Sequence, residues 1–299
     1  MADSSSVVAA RPVPVNGRID PKSLRIAIAG VFISGLGPLL VRDSPVGAAS
    51  TAFWRLLIAA PAALWLARRV DPLPARAKLW ALMAGLLLAG DLVLWNKAII
   101  TTTILEATLL VMIYPLLVAL GGWILWRQRI TGRLGIGGLI AFAGLVLMTV
   151  GPVDSGSSVA GNMLALVAAF FYAGCMLITG RLCQTYPSIA VTAWSFIGAV
   201  LGCLPFALFE DSFLASTLFD WGYLVVYGLL TLVGYLLVNR SLSKLPTALV
   251  AVLGYGQPVV ATTLAIPLLG EVPGLGDLAG AGVVVAGLVL ATRPGKVSA

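Results

Sequence analysis

Apolar residues come in runs of about 20 along nearly the whole chain, separated by short clusters of Gly, Pro, Ser and charge. A run of that length crosses ~30 Å of hydrocarbon as a helix. The pattern predicts ten helices, at about 24–41, 50–67, 79–97, 104–126, 134–151, 160–180, 189–209, 221–239, 247–269 and 275–292. Connections are short, so no soluble domain hangs on either side. Only "GPVDSGSSVAG" (Gly151–Gly161) has the composition of a linker. The expected fold class is an all-α membrane protein of ten transmembrane helices. Residues 1–21, polar and carrying Pro12 and Pro14, lack the apolar region of a cleavable signal and read as a disordered cytoplasmic tail. Residues 22–152 and 161–293 are then two five-helix units joined by a linker at 153–160, with 294–299 a second cytoplasmic tail.

Composition agrees with that solvent. Apolar residues make up 60 % of the chain and charged residues 10 %, against roughly a quarter charged in a soluble domain. The net charge of +7 does not point to nucleic acid, because the basic residues sit in inter-helix turns. With the N-terminus in the cytoplasm, 16 Lys and Arg fall on the inner side and 2, Arg42 and Lys97, on the outer. The outer loops instead carry acids, among them Asp43, Asp154, Glu210 and Asp277. That alternation needs ten crossings and puts both termini in the cytoplasm, with the chain in the cytoplasmic (inner) membrane. Histidine is absent, and the three cysteines (Cys175, Cys183, Cys203) have neither disulfide nor metal-site spacing. No metal or cofactor is expected.

The chain repeats itself. "AGLVLMT" (Ala143–Thr149) returns as "AGLVLAT" (Ala286–Thr292), an offset of 143 residues. The offset holds without a gap for Asn96-Lys97 on Asn239-Arg240, Pro115 on Pro258, Gln128 on Glu271, Gly137 on Gly280 and Gly144 on Gly287. Upstream, "TAF" (Thr51–Phe53) falls on "TAW" (Thr192–Trp194) at 141. Five helices per half is an odd number, so the second half enters the membrane inverted. Inverted halves about an in-plane pseudo-two-fold axis have two similar poses, the basis of alternating access. Gly137-x-x-x-Ala141 and Gly282-x-x-x-Ala286 are expected to be packing stripes on the fifth helix of each half.

Ionisable groups inside spans are the candidate chemistry. Arg55 in the second helix and Asp91 in the third lie at similar depth, on the order of 10 Å below the outer ends at 1.5 Å per residue. They form a candidate pair with two readings: a buried tether, or groups on a translocation path that orient a zwitterion or carry a proton. Lys97 and Glu106 sit at span ends and reach the headgroups. Pro115 and Pro258 should kink the fourth and ninth helices, by packing alone or by freeing carbonyls to line a cavity. "GYGQP" (Gly254–Pro258) adds Tyr255 and Gln257 beside the second kink. Trp95, Tyr114, Tyr227 and Tyr235 supply flat walls with a polar handle for a substrate, or else face lipid as an aromatic belt. The predicted substrate-binding set is Asp91, Trp95, Tyr114, Tyr227, Tyr235, Tyr255 and Gln257. An intramembrane enzyme would need an acid/base, nucleophile or metal set, and neither H-E-x-x-H nor G-x-S-x-G occurs. A channel would show charge rings or a filter-like sequence, which are not seen.

With these features the chain resembles the EamA-type, ten-helix branch of the drug/metabolite transporter superfamily, from Leu24 to Thr292. The likeness rests on the paired halves, "ATLLVMIYPLLVAL" (Ala107–Leu120), "LLGEVP" (Leu268–Pro273) before "GAGVVVAGLVL" (Gly280–Leu290), and "GNMLALVAAFFYA" (Gly161–Ala173). Family members end the fourth and ninth helices in Gly-Glu; Gly270-Glu271 matches, whereas the first half has Arg127-Gln128. The resemblance implies a carrier of small organic metabolites, without enzymatic activity, similar to the aromatic amino acid exporter type. A multidrug or other organic-metabolite exporter is the alternative. The expected partners are a small-molecule substrate and membrane lipid, with no nucleic acid, and the expected working unit is a monomer.

Overall fold

The computed structural model describes residues 19–102, 104–128, 130–149, 158–269 and 274–293. The expected tail up to residue 18, linker residues 153–157, the Gly270-Glu271 pair and residues 294–299 lie outside the described residues. The chain forms α1 (Pro21–Gly35), α2 (Gly37–Arg42), α3 (Ala48–Ala67), α4 (Ala75–Thr101), α5 (Ile104–Val111), α6 (Tyr114–Trp126) and α7 (Gly132–Thr149). It continues with α8 (Val159–Cys183), α9 (Ser188–Leu208), α10 (Leu218–Leu242), α11 (Thr247–Leu253), α12 (Gly256–Leu269) and α13 (Leu275–Thr292). No strand occurs among the described residues. Taking α1–α2, α5–α6 and α11–α12 as broken rods, the segments make ten helices. Eight stretches are long and apolar enough to cross a membrane. The exceptions are α1, which is 15 residues long, and α7, whose apolar stretch Gly132–Met148 is shorter. This is an all-helical, multi-pass membrane protein.

Capping sets the ends. Asp20 accepts from the backbone of Lys22 and Ser23 at 3.3 and 3.2 Å, opening α1. The Ser23 hydroxyl, 2.6 Å from the same carboxyl, holds Asp20 below the usual carboxylate range. Thr217 and Asp220 close a capping box at α10. The start of α3 is capped from far along the chain: Glu210 accepts from Ala49 N at 2.9 Å and Ser50 N at 2.8 Å. Phe213 O accepts from the Trp54 indole at 2.7 Å, so residues 210–213 lie across the start of α3.

The breaks have local causes. Proline has no N–H and its ring clashes with the carbonyl four residues back. Met112-Ile113 and Gly254-Tyr255 are turns just ahead of Pro115 and Pro258. A third break, at Leu36, divides what the sequence suggests is one helix; Gly35, Gly37 and Pro38 surround it.

Packing pairs off under the repeat. α4 packs on α8 and α9, while α10, the matching helix of the second half, packs on α1 and α3. α3 lies against α9 and α7 against α13. Glycine makes the closest approaches: Gly85 of α4 meets Ser195 and Ala199 of α9, and Gly228 of α10, 143 residues on, meets Arg55 and Ile58 of α3. At the α7–α13 crossing a Cβ on Gly137 would stand 2.6 Å from Gly287 O, and one on Gly280 2.6 Å from Gly144 O. The expected stripe of Gly282 and Ala286 is corrected. Both are exposed and Gly282 faces open space; Gly280, Val284 and Gly287 are buried instead. The repeat register, not the local small-xxx-small spacing, picks the face.

Near Lys244, Leu73, Leu182, Leu242 and Leu245 belong to one buried apolar cluster, and all seven residues of α11 are buried.

Candidate functional site

A cavity of about 420 Å³ occupies the middle of the bundle, within the range typical of small-molecule sites. It reaches from Thr179 and Asn239 to Leu40, Val41, Thr108 and Thr262 near the Asp43 end. α11 and the Leu245 cluster close it towards the Lys244 end.

Charge enters from α3 and α4. Arg55, 9 % exposed, and Asp91, 7 % exposed, both line the cavity. Arg55 Nη1 donates to the Tyr227 hydroxyl, and the guanidinium carbon lies 5.0 Å from the Tyr227 ring centroid. Tyr227 Oη in turn donates to Gly37 O at 3.3 Å, at the break between α1 and α2. Among the described residues, Arg55 Nε and Asp91 Oδ1 have no hydrogen-bond partner. The hydrogen bond of Arg55 thus goes to Tyr227 and not to Asp91. The expected pair shares one cavity without closing on itself. A cation and a carboxyl group kept apart at membrane depth are costly unless something else completes them.

Aromatic rings wall the remainder. Tyr114 and Tyr172 meet edge to face at 4.6 Å, and Phe196 and Tyr235 at 5.6 Å. Trp95 also lines the cavity, its indole N–H buried and without a partner among the described residues. At the closed floor, the Tyr114 hydroxyl donates to Ala251 O of α11 at 3.3 Å.

Of the residues singled out from sequence, Arg55, Asp91, Trp95, Tyr114, Tyr227, Tyr235, Gln257 and Pro258 line the cavity. Tyr255 and Pro115 do not. The turn at Gly254-Tyr255 carries the Tyr255 ring away to Phe142 of α7, 6.0 Å between centroids, where it is 0 % exposed. Pro115 is buried in the first turn of α6. Sequence reasoning missed the hydroxyl residues of the lining, Ser34, Thr108, Thr179, Ser195, Thr231 and Thr262. A membrane-helix threonine can satisfy itself on its own backbone, as Thr179 does on Cys175 O at 2.8 Å, so its presence in an apolar run does not reveal which way it faces. Among the described residues no group of three or more His, Cys, Asp or Glu is placed to hold a metal.

Residues 22–150 and 159–293 each match the model of the EamA-like transporter family. The chain belongs to the EamA-like transporter family. The two matched segments meet at the break between the repeated halves. YwfM, an uncharacterized transporter of Bacillus subtilis (strain 168), is 26 % identical over 286 residues, covering 92 % of this chain and 95 % of that protein. YetK of the same organism, also an uncharacterized transporter, is 28 % identical over 180 residues, 57 % of this chain; the match spans about half of YetK, 54 %. The pseudopaline exporter CntI of Pseudomonas aeruginosa (strain UCBPP-PA14) is 25 % identical over 215 residues, 72 % of this chain and 75 % of that protein. A solved crystal structure superposes with a TM-score of 0.80 at 20 % identity, covering 93 % of this chain and 100 % of that one. That likeness concerns the fold alone. EamA-like membership and these relatives make the protein a membrane transporter.

Proposed function

We propose that this EamA-like transporter carries amino acids, or closely related zwitterionic metabolites, by exposing its central cavity to each side of the membrane in turn. The observation that carries this reading is the separation of Arg55 and Asp91 within one cavity, each with a buried polar atom unpaired among the described residues. A substrate carboxylate on the guanidinium and a substrate ammonium on the carboxyl group would complete both. The aromatic rings around them suit a side chain with a flat apolar face, in keeping with an aromatic amino acid.

Alternation is supported by the repeat. Units 22–152 and 161–293 exchange under the 143-residue offset: contacts of α4 with α8 and α9 become those of α10 with α1 and α3. Residue i touching j while the partner of j touches the partner of i is how a two-fold interface behaves. Five helices in each half support an inverted arrangement, and the charge bias supports a cytoplasmic position for both termini. The pseudopaline exporter among the relatives favours export from the cell. Met112 and Met176 in the lining favour a second reading, a wider organic-metabolite exporter, because methionine adapts to varied shapes.

The test is counterflow. Purified protein in liposomes loaded with each proteinogenic amino acid in turn is expected to accumulate the labelled form, aromatic ones most. No accumulation of any amino acid would overturn the zwitterion reading, and uptake of apolar organic cations instead would favour the wider exporter.

A further inference from the structure

Three facts about the broken helices fit together. On the closed side, Tyr114 at the start of α6 donates its hydroxyl hydrogen to Ala251 O of α11 across the bundle centre. Both residues are buried, at 3 % and 0 % exposed. The same hydroxyl lies against Gly254, where a Cβ would collide with it. The second fact is the register. Adding 143 turns Tyr114 into Gln257, and subtracting 143 turns Ala251 into Thr108 and Gly254 into Val111. Third, Thr108, Val111 and Gln257 line the cavity as Tyr114 does, but among the described residues no hydrogen bond joins Gln257 to Thr108 as one joins Tyr114 to Ala251.

From this the geometry points to Gln257 and Thr108 as the opposite gate, the pair that seals the cavity at the Asp43 end when the Tyr114–Ala251 contact opens. This inference rests on the alternating reading above. The Gln257 side-chain amide is a donor, as the Tyr114 hydroxyl is, and its acceptor is the Thr108 carbonyl. Side-chain volumes are matched across the two gates. A large Tyr faces a Gly on one side; a shorter Gln faces a Val on the other, so each gate fills the gap between α5–α6 and α11–α12 with a different division of bulk. Volume-conserving exchanges of this kind preserve a packed interface. Each gate also stands at the turn ahead of a helix proline, Pro115 or Pro258, where the rod is interrupted and its two segments can reorient separately. The two gates must not open together, because that would make a leak; the exchange between the two poses passes through a state in which both are closed.

The experiment is a reducible cross-link between Thr108→Cys and Gln257→Cys, in a background with Cys175, Cys183 and Cys203 replaced by Ala. A short bis-methanethiosulfonate is applied to protein in liposomes, with each single-cysteine variant as control. The expected result is intramolecular cross-linking of the double variant alone. Counterflow of the substrate is lost on cross-linking and restored by dithiothreitol. Counterflow without a cross-link overturns the gate and leaves the carrier reading standing. The zwitterion reading is judged on counterflow by the cysteine-free parent, because Gln257 and Thr108 line the cavity; a cross-link in a double variant that moves no amino acid, beside an active parent, supports the gate and leaves that reading standing. Neither a cross-link nor counterflow by the parent overturns both. As a second measurement, an impermeant maleimide offered from the Asp43 side should label the Thr108→Cys and Gln257→Cys single variants, both of which line the cavity; absence of labelling from that side overturns the proposal.

Discussion

Arg55 shows how much depends on a single side chain. Its guanidinium is buried on α3, and Tyr227 is the residue that holds it, with Gly37 O on the far side of that hydroxyl. Asp91 faces the same space with an oxygen unpaired. If these two groups take the ends of a zwitterion, Asp91→Asn should weaken substrate affinity while the protein remains folded. A hydrogen bond to a charged group contributes about 1.5–3 kcal/mol, so the apparent KM for counterflow should rise on the order of 10- to 100-fold. Arg55→Lys keeps the charge but loses the planar fork, and should lie between wild type and Arg55→Gln. An Asp91→Asn protein with unchanged KM would remove the carboxyl group from the substrate. The presence of both charges in the site was legible in the sequence, because an ionisable residue inside an apolar run has few reasons to be there. Their relation was not legible. Depth along a helix axis says nothing of rotation about it, and Tyr227 competes for the guanidinium from a helix 172 residues away.

Among the elements, the α7–α13 crossing shows most clearly what backbone proximity demands. Gly137 and Gly144 of α7 meet Gly287 and Gly280 of α13, and a Cβ on Gly137 would stand 2.6 Å from Ala291 N and Gly287 O. Backbone cannot step aside as a flexible side chain can, so Gly137→Leu should separate the helices. Overpacking costs about 1–3 kcal/mol. Thermal unfolding in detergent should therefore begin at a lower temperature for Gly137→Leu, whereas Gly282→Leu, which points into open space, should leave the midpoint unchanged. Equal shifts in the two variants would mean that helix propensity rather than contact governs the site. The spans themselves were easily read, since apolar runs end where Gly, Pro and charge begin. Two details escaped. The break at Leu36 sits in "SGLGPLL", which also reads as an ordinary flexible helix end. The α13 stripe was placed on Gly282 because i, i+4 spacing offers several faces, and only the offset to Gly137 selects Gly280.

At the scale of the whole molecule, sidedness decides between an inverted and a parallel pairing of the halves. Contacts that exchange under the 143-residue offset require a two-fold relation, but such an axis can lie in the membrane plane or along its normal. Helix count separates these cases. With ten rods, of which eight are long and apolar enough to cross, the turn after α3 and the turn after α9 must face opposite sides if α1–α2 and α7 also cross. In each half these turns follow the second helix, so opposite placement means inversion and equal placement means a parallel repeat. Charge makes the same forecast: Arg68 and Arg69 follow α3, while Glu210 and Asp211 follow α9, and positive turns are retained in the cytoplasm. Single cysteines at Val70 and Asp211, in the background free of native cysteine, test it in intact cells with an impermeant maleimide. Asp211→Cys should label from outside, and Val70→Cys only after the membrane is permeabilised. Labelling of both from one side would break the inversion, and with it the physical reason why one packing of these helices should have a two-fold-related partner of similar energy through which a cavity closed at the Lys244 end could open there.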